Sequence, residues 1–128
     1  MRYVIRSVLL ATLAACSPAT RSVRLSPVVY EPRPADYPIR LYTSQLPRCR
    51  YEEIGIISSR QRNKLISMEA VTEALRNKAR ELGGDAIIRV GESNAVQGAA
   101  VTSNAVILDR DPELSGTVVR FADQNCKE

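Results

Sequence analysis

The spacing of apolar and polar positions changes several times along the chain, and each change marks a predicted element. Residues 51–59, YEEIGIISS, form a short run rich in isoleucine, which predicts a strand. Residues 67–82 carry apolar side chains three and four positions apart, which predicts an amphipathic helix. Ser67 is the predicted N-cap of this helix. Gly83 and Gly84 follow it and can supply the left-handed residue at its C-terminus.

Four other apolar runs complete the predicted fold, at residues 39–42, 86–90, 105–108 and 116–121. Residues 91–102 are small and polar and are predicted to form a loop or a loose strand, and DRDP at 109–112 is predicted to form a turn. The predicted order is β-β-α-β-β-β. This order is typical of a small α+β domain, in which one helix covers a mostly antiparallel sheet of about 4–5 strands.

The N-terminal residues have the pattern of an export signal. Arg2 and Arg6 precede a short apolar run that ends in small residues. A spanning helix needs roughly 20 apolar residues, and this run is much shorter. Residues 1–15 are therefore predicted to be a cleaved signal peptide rather than a transmembrane helix.

The residues LAAC, which end at Cys16, resemble a bacterial lipobox. The resemblance implies that Cys16 is acylated, with palmitate among its chains, and becomes the first residue of the mature protein. Two or more acyl chains anchor a protein stably, so the resemblance implies permanent attachment to a lipid bilayer. Ser17 follows the cysteine and favours the outer membrane, with the domain facing the periplasm. The alternatives are an ordinary signal peptide with a chance cysteine and a buried N-terminal helix.

Residues 16–38 are predicted to form a lipidated N-terminus followed by a proline-rich tether, and residues 39–128 a single domain. Five of the seven prolines lie between residues 17 and 38, where they disfavour pairing in a sheet. At about 3.1 Å per residue, an extended tether of this length reaches roughly 70 Å. It would hold the domain well clear of the membrane.

Charge and cysteine content narrow the classes of partner. The chain carries a net charge of +4, part of which leaves with the signal peptide, and export argues against nucleic acid as a partner. The compartment is oxidising, so Cys49 and Cys126 are predicted to form one disulfide, with two free thiols as the alternative. Two cysteines without any histidine fall short of a zinc site, and we expect no metal or cofactor.

The sequence carries few signs of catalysis. Without histidine, neither a Ser-His-Asp triad nor a Cys-His pair is available. Residues 91–95, GESNA, form an incomplete nucleophile elbow that ends in alanine instead of glycine. Glu52 and Glu53 are adjacent on a predicted strand, so their side chains point to opposite faces. We therefore expect that the protein is not an enzyme.

Basic and aromatic positions suggest a binding patch. Three basic residues lie in the polar loop RQRNK at 60–64, which could bind an anionic lipid, a glycan or an acidic protein surface, although a solvated connection is the simpler interpretation. Two arginines lie within apolar strands and could share an exposed face with a tyrosine, a composition that interfaces favour. The candidate residues are Tyr51, Arg60, Arg62, Lys64, Arg89 and Arg120.

Residues 51–90 resemble the RcsF-like and YbjQ-like group of small bacterial domains. The similarity rests on YEEIGIIS and on EALRNKARELGGDAIIRV, a helix that enters an LGGDA turn and then a strand. The RcsF family consists of outer-membrane lipoproteins with a proline-rich tether and a disulfide-linked α+β domain that senses envelope stress. That domain uses four cysteines in two bridges, whereas only Cys49 and Cys126 are available here.

Taken together, the sequence predicts a non-catalytic, membrane-anchored lipoprotein whose periplasmic domain binds or senses an envelope component. The expected partners are the bilayer, through acylated Cys16, and an envelope protein. One alternative is a structural subunit of an envelope or secretion complex. Another is a small hydrolase or an enzyme accessory protein, which a deep pocket with two converging carboxylates would favour.

Overall fold

The computed structural model describes residues 17–101 and 103–126. These residues form one sheet and one helix, in the order β1 (Ala19–Arg24), β2 (Arg40–Leu41), β3 (Tyr51–Arg60), α1 (Met68–Glu81), β4 (Ala86–Val101) and β5 (Val106–Phe121). The strand order across the sheet is β1-β3-β5-β4-β2, and only the β2–β4 pair is parallel. The predicted α+β class, with a mostly antiparallel sheet and one covering helix, is confirmed.

The ends of α1 follow local sequence signals, and both predicted caps are confirmed. The Ser67 hydroxyl oxygen accepts the backbone N–H of Ala70 at 3.1 Å. At the other end, Gly83 adopts a φ of +80°, and its N–H donates to the carbonyl of Arg80 at 3.0 Å. The N–H of Gly84 donates to the carbonyl of Ala79 at 3.0 Å, which completes a Schellman motif.

The core lies between α1 and one face of the sheet. Leu75 and Ala79 of the helix are fully buried against Ile57, Ile87 and Val118 of the three central strands. A smaller cluster on the opposite face contains Ala86, Ile88 and Val119, covered in part by Tyr42, Tyr51 and Phe121. Burial of these side chains removes their apolar surface from water and supplies the main stabilisation of the fold.

The segment predicted as a tether belongs to the folded domain, so that prediction is wrong. β1 pairs with β3 from Ala19 opposite Arg60 to Arg24 opposite Gly55, because residues 19–24 contain no proline to interrupt the ladder. Residues 25–39, called the strap here, then carry the chain from β1 at one edge of the sheet to β2 at the other. Only residues 17 and 18 separate β1 from Cys16, which lies outside the described residues.

The strap is attached to the C-terminal end of α1. The backbone N–H of Arg33 donates to the carbonyl of Arg80 at 2.8 Å, and the Arg80 Nε donates to the carbonyl of Tyr37 at 2.8 Å. A Cβ on Gly83 would lie 2.6 Å from the carbonyl oxygen of Glu31, so the strap packs directly on the glycine. These contacts fix a proline-rich segment that belongs to no strand of the sheet.

The last two strands also differ from the prediction. Of residues 91–102, predicted as a loop or a loose strand, 91–101 lie inside β4 and residue 102 lies outside the described residues. The predicted DRDP turn lies inside β5, and the two strands pair as far as Val101 opposite Val106 apart from two bulges. Pro112 is tolerated within β5 because it lies where β3 ends, and its carbonyl accepts the Gln61 N–H at 3.0 Å. Pairing across the hairpin outweighs the local turn propensity of DRDP.

Beyond the core, β4 and β5 continue as a two-stranded ribbon, defined as residues 94–101 and 106–112. β3 pairs with β5 only as far as Arg60 opposite Glu113, and no third strand of the described chain accompanies the ribbon. Strands rise by about 3.3 Å per residue, so the ribbon projects about 25 Å past the three-stranded part of the sheet.

A disulfide closes the opposite end of the sheet. Cys49 and Cys126 are bonded, with Cα atoms 6.2 Å apart, which confirms the predicted bridge. Cys49 precedes β3 and Cys126 follows β5, next to the point where Tyr51 pairs with Phe121. The bridge therefore joins the two chain segments at the end of the sheet farthest from the ribbon.

Candidate functional site

An open cleft of about 470 Å³ lies at the disulfide end of the sheet. Its walls come from the strap, from the start of β3 and from the end of β5. The residues that define its chemistry are Tyr30, Arg50, Tyr51, Glu52, Arg120 and Phe121. This cavity is called the cleft below.

Strand pairing places the side chains of the cleft. Tyr51 pairs with Phe121, and Glu52 pairs with Arg120, on adjacent antiparallel strands. Successive residues of a strand point to opposite faces, so the aromatic pair and the charged pair lie on opposite sides of the sheet end. The cleft thus wraps around the end of the sheet and presents both pairs together.

The carboxylate of Glu52 connects the strap to β3. Its Oε1 accepts the Ser26 hydroxyl at 2.8 Å, and its Oε2 accepts the Tyr30 hydroxyl at 2.5 Å. These hydrogen bonds hold the pKa of Glu52 below its usual range. The same bond from Tyr30 to the ionised carboxylate raises the pKa of the tyrosine. Both oxygens of Glu52 are therefore occupied by partners inside the protein.

Arg120 is held in place from two directions. Its Nη1 donates to the carbonyl of Gly83 at 2.7 Å, and its guanidinium carbon lies 4.5 Å from the ring centroid of Tyr30. The contact with the ring is a cation–π interaction. Arg50 lines the same cleft and forms no ion pair with the described residues. The cleft thus contains two guanidinium groups beside three aromatic rings, which suits an anionic ligand.

Asp85 supports the cleft from behind. It is 4% exposed, and its Oδ1 accepts Arg33 at 2.6 Å and the Tyr37 hydroxyl at 2.7 Å. Its Oδ2 accepts the backbone N–H of Phe121 at 2.8 Å and the Gln124 amide at 3.2 Å. One carboxylate thus ties the strap, the end of β5 and the C-terminal residues together. Burial and the hydrogen bond to Asp85 raise the pKa of Tyr37.

The structure divides the predicted patch into separate groups. Tyr51 and Arg120 both line the cleft. Arg89 instead has a φ of +52° and donates from its Nη1 to Glu53 Oε1 at 2.7 Å. Arg89 and Arg120 therefore make separate contacts, and Arg89 does not line the cleft.

The loop residues of the predicted patch lie at the other end of β3. Arg60 is the last residue of that strand, nine positions from Tyr51, which is a separation of about 30 Å. Arg62 and Lys64 follow in an exposed loop before α1. The six predicted residues therefore cannot contact one ligand of small size.

Sequence reasoning missed four residues of the cleft: Tyr30, Arg50, Glu52 and Phe121. Tyr30 lies in the segment that the sequence predicts as a tether, and the register that places Glu52 opposite Arg120 depends on long-range pairing. The predicted disulfide is a sequence signal that could locate part of the cleft. A bond between Cys49 and Cys126 brings their sequence neighbours together, which points to Arg50 and Phe121.

Among the described residues, no group of three or more Cys, Asp or Glu side chains is arranged to hold a metal ion. No helix among those residues is long and apolar enough to cross a bilayer.

Comparison with known proteins identifies the fold. The chain matches no protein-family model and no curated protein sequence. Among solved structures, it is similar to FvfA, a virulence factor of Francisella, with a TM-score of 0.50 and 11% sequence identity. The alignment covers 84% of this chain and 100% of that chain. At this identity the similarity shows a shared fold alone.

Proposed function

We propose that the protein is a non-catalytic lipoprotein of the cell envelope that binds an acidic segment of an envelope protein in the cleft. Acylated Cys16 anchors it in the outer membrane, and its domain faces the periplasm. The observation that carries this proposal is the pair of arginines, Arg50 and Arg120, beside three aromatic rings in one cleft.

The charge balance of the cleft favours an anionic ligand. Glu52 is the only carboxylate among the described residues that line it, and both of its oxygens already accept hydrogen bonds. The positive charge of the two guanidinium groups therefore exceeds the negative charge of the one carboxylate in the cleft. Arginine donates two parallel hydrogen bonds to a carboxylate, so an Asp or Glu side chain of a partner fits this surplus.

The rings make a protein the favoured class of partner. Arginine and aromatic residues are enriched in the buried centre of protein interfaces, where they contribute most of the binding energy. Tyr30 and Arg120 are already held by contacts within the protein, so little side-chain freedom is lost on binding. A cleft that is ordered before binding supports recognition of one defined partner.

The same arrangement favours binding over catalysis. A glycosidase-type site needs two carboxylates that face each other across a substrate, and the described walls of the cleft contain one. The Glu52 carboxylate accepts two hydroxyl donors, and its lowered pKa makes it a weak base. This chemistry gives no support to a hydrolase.

The location rests on sequence and on redox chemistry. The lipobox-like LAAC ends at Cys16, and the Cys49–Cys126 bridge is typical of an oxidising compartment. Sensing of envelope stress, as in the RcsF-like group, is one form that such binding can take. A structural subunit of an envelope complex is the second candidate, which a stable, stoichiometric partner would favour.

Mass spectrometry of the membrane-extracted protein tests the anchor. We expect a mature chain that begins at Cys16 and carries three acyl chains, and we expect the Cys16→Ser variant to keep its signal peptide. An unacylated wild-type chain would contradict the proposed anchor.

Crosslinking in intact cells tests the cleft. Arg50→Glu places a negative charge where the partner's carboxylate should bind, so we expect the crosslinked partner to be lost. Arg24→Glu is the matched control, since Arg24 is exposed at the end of β1 and does not line the cleft. A partner that survives Arg50→Glu, or that is lost equally with Arg24→Glu, would contradict binding in the cleft.

A further inference from the structure

Three features that could contact a membrane lie at one end of the sheet, opposite the cleft. β1 begins with Ala19 opposite Arg60, so the N-terminus enters the sheet at the end of β3. The basic loop at 61–66 starts from the same strand end. The ribbon projects past this end of β3, because the pairing of β3 with β5 stops at Arg60 opposite Glu113.

We propose that this end of the domain docks on an anionic lipid bilayer, with the ribbon end around Val101 and Val106 inserted among the headgroups. The proposal rests on the proposed acylation of Cys16, which would bring the domain to the bilayer. It goes further by assigning a membrane-binding surface to the folded domain and by orienting the cleft away from the lipid.

The ribbon end has the polarity that an interfacial element needs. Val101 and Val106 pair with each other, and they are 80% and 62% exposed. No Asp, Glu, Lys or Arg occurs between residues 93 and 108. Exposed apolar groups at the end of a projecting, uncharged hairpin have little to contact in water, whereas the boundary of headgroups and acyl chains accommodates them.

The position of the first charges limits the depth of insertion. Asp109 is the first charged residue of β5, three positions after Val106, which corresponds to about 10 Å along the strand. Interfacial elements bury their apolar side to a depth of about 5–10 Å. The uncharged end therefore matches the interface in length and does not reach across the bilayer.

The neighbouring loop supplies the charge. Arg62 and Lys64 are exposed, and Leu65 beside them is 94% exposed. Basic residues close to an anionic membrane surface are attracted to its headgroups, and a leucine among them adds apolar contact. The loop is thus complementary to anionic headgroups at the same end at which the ribbon projects.

The anchor fixes which end faces the lipid. Two residues, Ser17 and Pro18, lie between Cys16 and β1, so at about 3.5 Å per residue the acylated cysteine lies within about 10 Å of Ala19. So short a connection keeps the start of β1 close to the membrane. The ribbon projects about 25 Å past that point, so it must lie obliquely against the surface for its end to enter only the interface. The cleft then lies about 50 Å away, at the other end of β5, in the aqueous compartment.

Tryptophan fluorescence tests the orientation, because the natural chain contains no tryptophan. The full acylated chain is prepared as Val106→Trp and, as a matched control on the same strand, as Phe121→Trp. Each variant is reconstituted in vesicles of phosphatidylethanolamine and phosphatidylglycerol, with or without brominated acyl chains. We expect a blue shift and loss of most of the emission by bromine quenching for Val106→Trp, and neither for Phe121→Trp.

Several outcomes would overturn the proposal. Unquenched Val106→Trp emission would show that the ribbon end does not touch lipid, and a blue shift without quenching would show that a second copy or another protein covers it. Equal quenching of the Val106→Trp and Phe121→Trp emission would show that the cleft end also contacts lipid, which contradicts the proposed orientation. Charge reversal at Arg62 and Lys64 should weaken the quenching of the Val106→Trp emission, whereas Arg24→Glu should not. If only Arg24→Glu weakened it, the basic loop would not be part of the membrane-binding surface.

Mass spectrometry of the same samples separates this proposal from the proposed anchor. If the chain carries acyl groups and the Val106→Trp emission is unquenched, the docking surface is wrong and the anchor stands. If the chain is unacylated and the emission is quenched, the anchor is wrong and the docking surface stands. If the chain is unacylated and the emission is unquenched, both are wrong.

Discussion

The two ends of β5 are built in opposite ways. At its C-terminal end, Phe121 lies within a network that includes the strap, Asp85 and the disulfide. At its N-terminal end, Val106 has one neighbouring strand and is mostly exposed. One strand thus passes from a region with many tertiary contacts to one with almost none.

The difference separates the two proposed binding surfaces. Much of the cleft is organised before any ligand arrives, because the side chains of Glu52 and Arg120 are already hydrogen-bonded within the protein. An ordered site loses little conformational freedom on binding, which favours a specific partner. The ribbon end lacks such support, and its stability should depend on whatever it contacts.

The disulfide should make the largest contribution at the cleft end. Cys49 and Cys126 are 77 positions apart, and the chain-entropy account assigns about 4.5 kcal/mol to a bridge over such a loop. We expect Cys49→Ser with Cys126→Ser to lower the free energy of unfolding by up to that amount in urea titrations. If hydrogen exchange showed that the ribbon loses protection while the cleft does not, the bridge would not be stabilising the cleft end.

Removal of the Asp85 carboxylate should be nearly as costly. Asp85→Ala leaves the Arg33 guanidinium and the Tyr37 hydroxyl without their buried partner, and breaking a buried pair costs about 3–5 kcal/mol. Glu81→Ala is the control, because the exposed pair of Glu81 with Lys78 should contribute less than about 1 kcal/mol. Equal losses in the two variants would show that Asp85 does not hold the strap.

A methyl group at Gly83 should loosen the strap at intermediate cost. Gly83→Ala forces a left-handed conformation on alanine, which costs about 1–2 kcal/mol, and its Cβ would press on the carbonyl of Glu31. Ser67→Ala at the other end of α1 should cost about 1 kcal/mol through the lost cap. Thermal unfolding of the two variants measures the difference, which would vanish if the strap were not packed on the helix end.

The bond between Tyr30 and Glu52 should make the stability of the cleft end depend on pH. The folded state lowers the pKa of Glu52, so its contribution is present above about pH 4.5 and is lost as the pH falls through the lowered value. The folded state raises the pKa of Tyr30, so that contribution is present below about pH 10 and is lost as the pH rises through the raised value. Tyr30→Phe should flatten the profile of melting temperature in both ranges, and an unchanged profile would contradict the bond.

The smallest effect on stability is expected at the ribbon end. Val106→Ala removes an exposed side chain, and surface substitutions of this kind usually change the free energy of unfolding by less than about 0.5 kcal/mol. Val118→Ala, on the same strand but fully buried, should be several times more costly. Similar losses at both positions in urea titrations would show that the ribbon end is packed against something within the protein.

Local signals in the sequence predicted the helix and its caps, because Ser67 and Gly83 act on backbone groups only a few residues away. The disulfide follows from the number of cysteines and from the expectation of an oxidising compartment. The strap was missed because its prolines are typical of a tether, whereas its attachment depends on Arg33 reaching Asp85, 52 positions away. The cleft was predicted only in part for the same reason, since the pairing of Glu52 with Arg120 spans the whole domain.

The direction of β1 has a mechanical consequence. If the anchor at Cys16 pulls one way and a partner in the cleft pulls the other, the force runs along β1 rather than across it. The hydrogen bonds of an antiparallel pair are perpendicular to the strands, so all six pairs between β1 and β3 are loaded in shear at once instead of opening one after another. Under tension, this domain should transmit force between membrane and partner before its first strand detaches.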